Sequence, residues 1–200
     1  MVNRAGNLVR RHERLLEAAV LGGLVIFYAL TTIPNIGNHP IVGGDEGWIV
    51  SASAKLAEDG VFGSDLFAGF FGADRHYYFN LPLHHLVLAA VFEVFGAGLA
   101  QARLTSAVFG LAALGLTYAL GRRVAGRWVG LGSAALLVLL RLNLAPFTGL
   151  TLTDLGATVR YDLIAVPFVL AAVLLLLRHA GRPTAVEVAL SGFEIGRAHV

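Results

Sequence analysis

The chain has 200 residues, of which 56% are hydrophobic and only 14% are charged, with a formal net charge of +2. A mean hydropathy of +0.72 excludes an ordinary soluble domain, and arginines set between apolar runs make the pI near 9.3 a mark of membrane orientation rather than of a nucleic-acid partner. There is no cysteine, which excludes disulfides and thiolate metal sites.

Residues 1–14 carry Arg4, Arg10, Arg11 and Arg14 and read as a cytoplasmic tail. The apolar run from Leu15 to Ile33, broken only by Glu17, is just long enough at about 1.5 Å per residue for a hydrocarbon core of roughly 30 Å. The TTIPNIGNHP that follows lacks a small-x-small cleavage site, so an uncleaved anchor is expected rather than a signal peptide. Residues 34–80 form a long outer loop. Within it, Gly43 to Glu58 (GGDEGWIVSASAKLAE) reads as a short amphipathic helix headed by Asp45 and Glu46. Trp48, Ile49, Ala52 and Leu56 are expected on one side, with Ser51, Ser53, Lys55, Glu58 and Asp59 on the other. Gly60 suits the position that ends the helix. The rest of the loop is rich in aromatics (Phe62, Phe67, Phe70, Phe71, Tyr77, Tyr78, Phe79), as expected at a membrane interface or around a substrate.

Four further apolar stretches follow: 81–95, Arg103–Leu120, Trp128–Ala145 and Leu163–Leu177. The first is short, begins with Leu81-Pro82, and carries His84, His85 and Glu93. If it does not cross, nine of the fifteen basic residues share one side; if it does, that bias collapses. It is therefore expected to lie against the outer face, as a juxtamembrane or re-entrant helix. The fold class is then an all-α integral membrane protein with about four transmembrane helices. This topology carries the connection 146–162 (PFTGLTLTDLGATVRYD) to the face that holds Asp45 and Glu46. Arg160 and Asp162 then stand at the mouth of the last span, with Arg103 and Arg141 near the same face. Ionisable groups at membrane depth are costly and mark substrate paths or pair with one another.

Several residues together resemble one group of enzymes: Asp45-Glu46 soon after the first span, Leu81-Pro82-Leu83, Ala102-Arg103-Leu104 with Ser106-Ala107, and Arg160-Tyr161-Asp162. In that order they look like the polyprenyl-phosphate-sugar-dependent glycosyltransferases of the C-type fold, the group of protein O-mannosyltransferases and lipid A aminoarabinose transferases (glycosyltransferase family 39 and relatives). The resemblance covers roughly residues 15–180, and its order and spacing carry more weight than any one motif.

The resemblance implies transfer of a sugar from a polyprenyl-phosphate donor to a lipid, glycan or protein acceptor, at the outer face of a prokaryotic plasma membrane. It implies Asp45 as catalytic base or as a holder of a divalent metal, with Glu46 as its neighbour. Many relatives carry Lys or Glu just before the proline, near the lipid phosphate. Here Phe79-Asn80-Leu81-Pro82 stands instead, which passes the phosphate contact to Asn80, His84, His85 or Arg160. Arg103, Asp162, Tyr77 and Tyr78 complete the substrate-side set.

The same residues have plainer readings. Asp45 suits the N-cap of its helix, with Glu46 favouring the dipole. Arg160 and Asp162 suit an interfacial anchor and its partner, His84 and His85 suit interfacial histidines, and Arg103 suits a side chain that snorkels to headgroups. A metal held by Glu46, His84 or Asp162 has no diagnostic spacing behind it. From other functional classes, a transporter or flippase-like channel needs polar groups near mid-membrane and helix breaks within spans, and a non-catalytic scaffold would leave Asp45, Arg160 and Asp162 far apart. Finally, 184–193 reads as the start of a further span. Residues 194–200 (EIGRAHV) read as a sequencing adapter translated in frame, which makes the chain an N-terminal fragment expected to be inactive alone.

Overall fold

The computed structural model describes residues 2–77, 79, 82–140 and 151–178; for residues 2–9 and Gly44 it describes the backbone only. Among these residues the fold is all helical. The order is α1 (Val2–Thr32), α2 (Gly44–Asp59), a short 3-10 turn (Asp65–Phe67), α3 (Pro82–Phe95), α4 (Leu99–Ala125), α5 (Arg127–Leu139), α6 (Leu152–Gly156) and α7 (Tyr161–Arg178). Arg141, residues 146–150, 184–193 and 194–200 lie outside the described residues.

Three helical segments are long and apolar enough to cross a membrane: Arg10–Thr32, Leu99–Ala125 and Tyr161–Arg178. α3, with 14 residues, covers about 21 Å at 1.5 Å per residue and falls short of a roughly 30 Å core. α5 has 13 described residues against an expected span of Trp128–Ala145. Apolar side chains on the outer surfaces of the long helices, such as Ile26, Leu30 and Val108, are more than half exposed. Exposed apolar surface of this kind is compatible with a bilayer around the helices.

Side-chain contacts fix how the helices run. Glu17, early in α1, meets Tyr118 and Arg122, late in α4. Tyr28, farther along α1, donates to the Ala107 carbonyl at 3.0 Å, and Arg103, near the start of α4, reaches the Ile36 carbonyl beyond α1 at 2.9 Å. α1 and α4 are therefore antiparallel. α7 runs parallel to α4, because Val159 ahead of α7 lies beside the Arg103 end while Arg123 donates to the Leu177 carbonyl. The molecule thus has a loop end, holding α2, α3 and α6, and an arginine end, where α1 and α7 present Arg10, Arg11, Arg14 and Arg178 beside Arg122, Arg123 and Arg127.

Two cores follow from this arrangement. Leu24, Tyr28, Leu114, Ala134, Val138, Leu152 and Leu163 join α1, α4, α5, α6 and α7. Ile49, Leu88, Phe92, Ala102 and Val159 join α2 and α3 to the head of α4. Glycine allows the closest approaches. The Tyr28 hydroxyl wedges between α4 and α6, where a Cβ on Gly110 or Gly156 would come within 2.1 or 2.0 Å of its oxygen.

α2 departs from its expected amphipathic division. Trp48 is 47% exposed, whereas Ser53 is fully buried beside Ile49 and Ala52. Ser53 tolerates burial because its hydroxyl has two partners, the Ile49 carbonyl and His85 Nδ1, both at 2.9 Å. Gly60 closes α2 at φ 68°, with its N–H on the Leu56 carbonyl, as its sequence position implies.

Candidate functional site

The loop end is built on one buried ion pair. Arg103 donates from Nε and Nη2 to the two oxygens of Glu46, at 2.9 and 2.8 Å, and from Nη1 to the Ile36 carbonyl. Glu46 also accepts the Val159 N–H at 2.8 Å and the Gly43 N–H at 3.0 Å. One carboxylate and one guanidinium therefore tie together α2, α4, the segment after α1 and the segment before α7. Both side chains are essentially out of solvent, at 4% and 0% exposure. Burial alone would raise the Glu46 carboxyl, but hydrogen bonds from Arg103, Val159 and Gly43 outweigh it and hold the group below its ordinary value.

This geometry corrects three expectations. Arg103 does not snorkel: it turns inward and all three of its nitrogens are engaged. Its buried head has no surface on which to meet a substrate phosphate. The N-cap of α2 is Gly43 rather than Asp45. Glu46, three residues on, supplies the carboxylate that reaches back to the cap N–H, so the capping task falls to it.

Around the clamp lie the residues that do face outward. Asp45 is exposed in the first turn of α2. Arg160 forms a two-pronged pair with Asp162, Nε to Oδ1 at 3.1 Å and Nη2 to Oδ2 at 2.8 Å, and these side chains are 32% and 50% exposed. The hydrogen bond to Asp162 is the main reason the Arg160 guanidinium is held protonated above its ordinary range, and the charge of Asp45 adds to it. Asp45, Arg160 and Asp162 therefore share one corner of the loop end.

The histidines are not interfacial. His84 and His85 are 3% and 0% exposed. Phe62 and Tyr77 each pack within 5.2–5.7 Å of one another and of the His85 ring. Desolvation drives His84 down to about 3, helped by His85 and opposed by the Asp162 charge; desolvation likewise drives His85 down to about 4. Both are neutral imidazoles at pH 7, so any phosphate contact they make is a neutral hydrogen bond. His85 Nδ1 pairs with Ser53, while its Nε2 and both ring nitrogens of His84 have no hydrogen-bond partner among the described residues.

Tyr77, expected on the substrate side, is wholly buried in the aromatic nest, at ring distances of 5.5 Å from Phe79 and 6.4 Å from Phe67. Tyr78 and Asn80 lie outside the described residues. Sequence reasoning also missed Ser53 and Ser106; the Ser106 hydroxyl accepts the Arg160 N–H at 3.5 Å. Ser53 stands in no motif, and Ser106, quoted above with Ala102-Arg103-Leu104, was given no role; only a place on a helix face ties each to the site.

Beside the clamp, the segment after α1, with α3 and the head of α4, forms an apolar groove of about 630 Å³, lined by Ile33, Ile36, Val91, Phe95, Leu104 and Val108 among others. Ile36 belongs to both features: its carbonyl holds Arg103 and its side chain walls the groove. Among the described residues no three His, Cys, Asp or Glu side chains converge as a metal site would require. No protein-family model, curated protein or solved structure matches the chain.

Proposed function

We propose that the loop end is the active site of a glycosyltransferase that moves a sugar from a polyprenyl-phosphate donor to an acceptor hydroxyl. The observation that carries this reading is that an exposed carboxylate, Asp45, and an arginine, Arg160, each stand next in sequence to a group held by the buried clamp.

The chemistry asks for a base and a cation. Asp45 accepts the acceptor proton as the hydroxyl oxygen attacks the anomeric carbon, a role that typically contributes 10²–10⁴-fold. The bond from that carbon to the phosphate oxygen breaks as the glycosidic bond forms, and the phosphate leaves on its lipid with an added negative charge. Arg160 meets that charge. Asp162 engages its Nε and Nη2 and leaves the Nη1 protons uncommitted among the described residues. The apolar groove against α3 and α4 suits an isoprenoid chain that stays on the lipid side while the sugar meets water. A transporter would place ionisable groups at mid-span. Here Glu17, Arg103, Arg122, Arg123, Asp162 and Arg178 sit within about two turns of an end of the membrane-length segments Arg10–Thr32, Leu99–Ala125 and Tyr161–Arg178.

The test uses membranes carrying the full-length protein and a panel of radiolabelled polyprenyl-phosphate hexoses. Asp45→Asn is expected to abolish transfer while leaving membrane insertion and donor binding intact, and Glu58→Gln on the same helix is expected to transfer normally. Transfer retained by Asp45→Asn would refute the assignment.

A further inference from the structure

At the end of the molecule opposite the proposed site, α4 and α7 part to leave a cleft of about 390 Å³ lined by Tyr118, Ala119, Arg122, Arg123 and Leu174. Its two regions differ in chemistry. Leu174 and Ala119 form an apolar wall one to two turns inside the helix ends, and Arg122 and Arg123 form a cationic rim. Arg178 stands beside that rim at the end of α7, and Arg10, Arg11, Arg14 and Arg127 belong to the same end of the molecule. Glu13 and Glu17 are the carboxylates described at this end. Glu13 pairs with Arg127 at 2.7 Å, and Glu17 with Arg122 at 3.0 Å. Arg10 also acts on Glu13 through its charge, which leaves Arg11, Arg14, Arg123 and Arg178 with no carboxylate partner among the described residues. At the loop end, by contrast, Lys55, Arg75, Arg103 and Arg160 each have one.

We infer that this cleft is a binding site for an anionic phospholipid of the leaflet on the arginine side. The headgroup phosphate lies against Arg123 and Arg178, and an acyl chain runs along Leu174. The two arginines are neighbours because Arg123 already reaches the Leu177 carbonyl at 3.3 Å, one residue from Arg178. The carbonyl ends of α4 and α7 point toward the rim and oppose an anion, so the attraction must come from the guanidinium groups. Arg123 and Arg178, at the edge of an apolar cleft and without a carboxylate partner among the described residues, meet that need, whereas a zwitterionic headgroup would gain little from them. Basic pockets between spanning helices are sites of this kind. The inference rests on the three membrane-length helices and is independent of the sugar-transfer reading.

The test is a titration of the detergent-solubilised full chain with phosphatidylglycerol, phosphatidylcholine or soluble glycerol phosphate, with bound species resolved by native mass spectrometry. Phosphatidylglycerol is expected to bind in preference to the other two. Arg123→Gln combined with Arg178→Gln is expected to lower that affinity roughly thirty-fold, the equivalent of about 1 kcal/mol for each basic residue removed from an anionic surface. Leu174→Trp, which fills the cleft and leaves every charge in place, is expected to weaken it too. Lys55→Gln combined with Arg75→Gln removes the same charge from the loop end and is expected to bind as wild type does. Equal binding of phosphatidylcholine, equal competition by glycerol phosphate, or wild-type affinity in both cleft variants would overturn the inference. So would an equal loss in the loop-end variant.

Discussion

Arg103→Met tests the buried clamp most directly. Methionine keeps the length of the aliphatic stem and removes all three donors, to Glu46 Oε1, Glu46 Oε2 and the Ile36 carbonyl. What remains is a carboxylate at 4% exposure supported by two backbone N–H groups. Breaking one side of a buried pair typically costs about 3–5 kcal/mol, a large share of the roughly 5–15 kcal/mol that holds a domain folded. Removing both charges is milder, because the carboxylate is no longer stranded. The double variant Glu46→Leu with Arg103→Met should therefore lose less stability than Arg103→Met alone. Thermal unfolding in detergent, followed by far-UV circular dichroism, gives both values. A loss below about 1 kcal/mol for Arg103→Met would refute the clamp, as would a double variant no better than the single one.

Two further perturbations probe the framework. Gly110→Ala puts a methyl group within 2.1 Å of the Tyr28 oxygen and should cost about 1–3 kcal/mol. Adding Tyr28→Phe removes the closest clash and should recover part of the loss, and no recovery would show that the strain lies elsewhere. For the buried histidines the sign is clear. Their folded values, about 3 and about 4, lie below the ordinary 6.5, so the unfolded chain binds protons first and stability is lost as pH falls through 6.5. At pH 5 the loss is about 2 kcal/mol for each. Glu46, already depressed below 4.5, contributes only at lower pH, so the window from 6.5 to 5 belongs to the histidines. His84→Phe should flatten the stability profile measured across that window, and an unchanged slope would count against burial of a neutral imidazole.

The helical class and the three long helices, α1, α4 and α7, were legible because a spanning run of apolar residues has few alternative folds. The shared position of Asp45 and Arg160 was legible too, because counting arginines on either side of each run fixes which loops meet. The roles within the site were not. Asp45 and Glu46 are adjacent carboxylates with the same propensities, and only the tertiary partners Arg103 and Val159 decide that one turns inward. Arg103 was misjudged for the same reason: an arginine at the head of a span reaches headgroups by default, unless a buried acid from another helix waits within its length. His84 and His85 misled in the opposite direction. Polar residues near a loop read as interfacial, but the nest of Phe62 and Tyr77 that packs on His85, with His84 beside it, assembles from a stretch with no periodicity.

The inward-facing groups of the loop end also explain how outward-facing ones come to be ordered. In α2 the carboxylate of Glu46 is gripped while Asp45, one residue earlier, is left at the surface. In the segment before α7, the N–H of fully buried Val159 is gripped by that same carboxylate, while Arg160, one residue later, is half-exposed. Each outward residue is thus one peptide unit from a fixed point, and the two fixed points are two hydrogen bonds on one side chain. An exposed carboxylate and an exposed arginine on separate loops would each lose conformational freedom on meeting a ligand. Anchoring both to Glu46 removes most of that cost beforehand, because the backbone at both positions is already set. The dependence runs one way. Asp45→Asn leaves the clamp intact, whereas Arg103→Met should loosen both loops together, so its effect on a ligand held at this corner should exceed that of any single exposed residue other than those in contact with it.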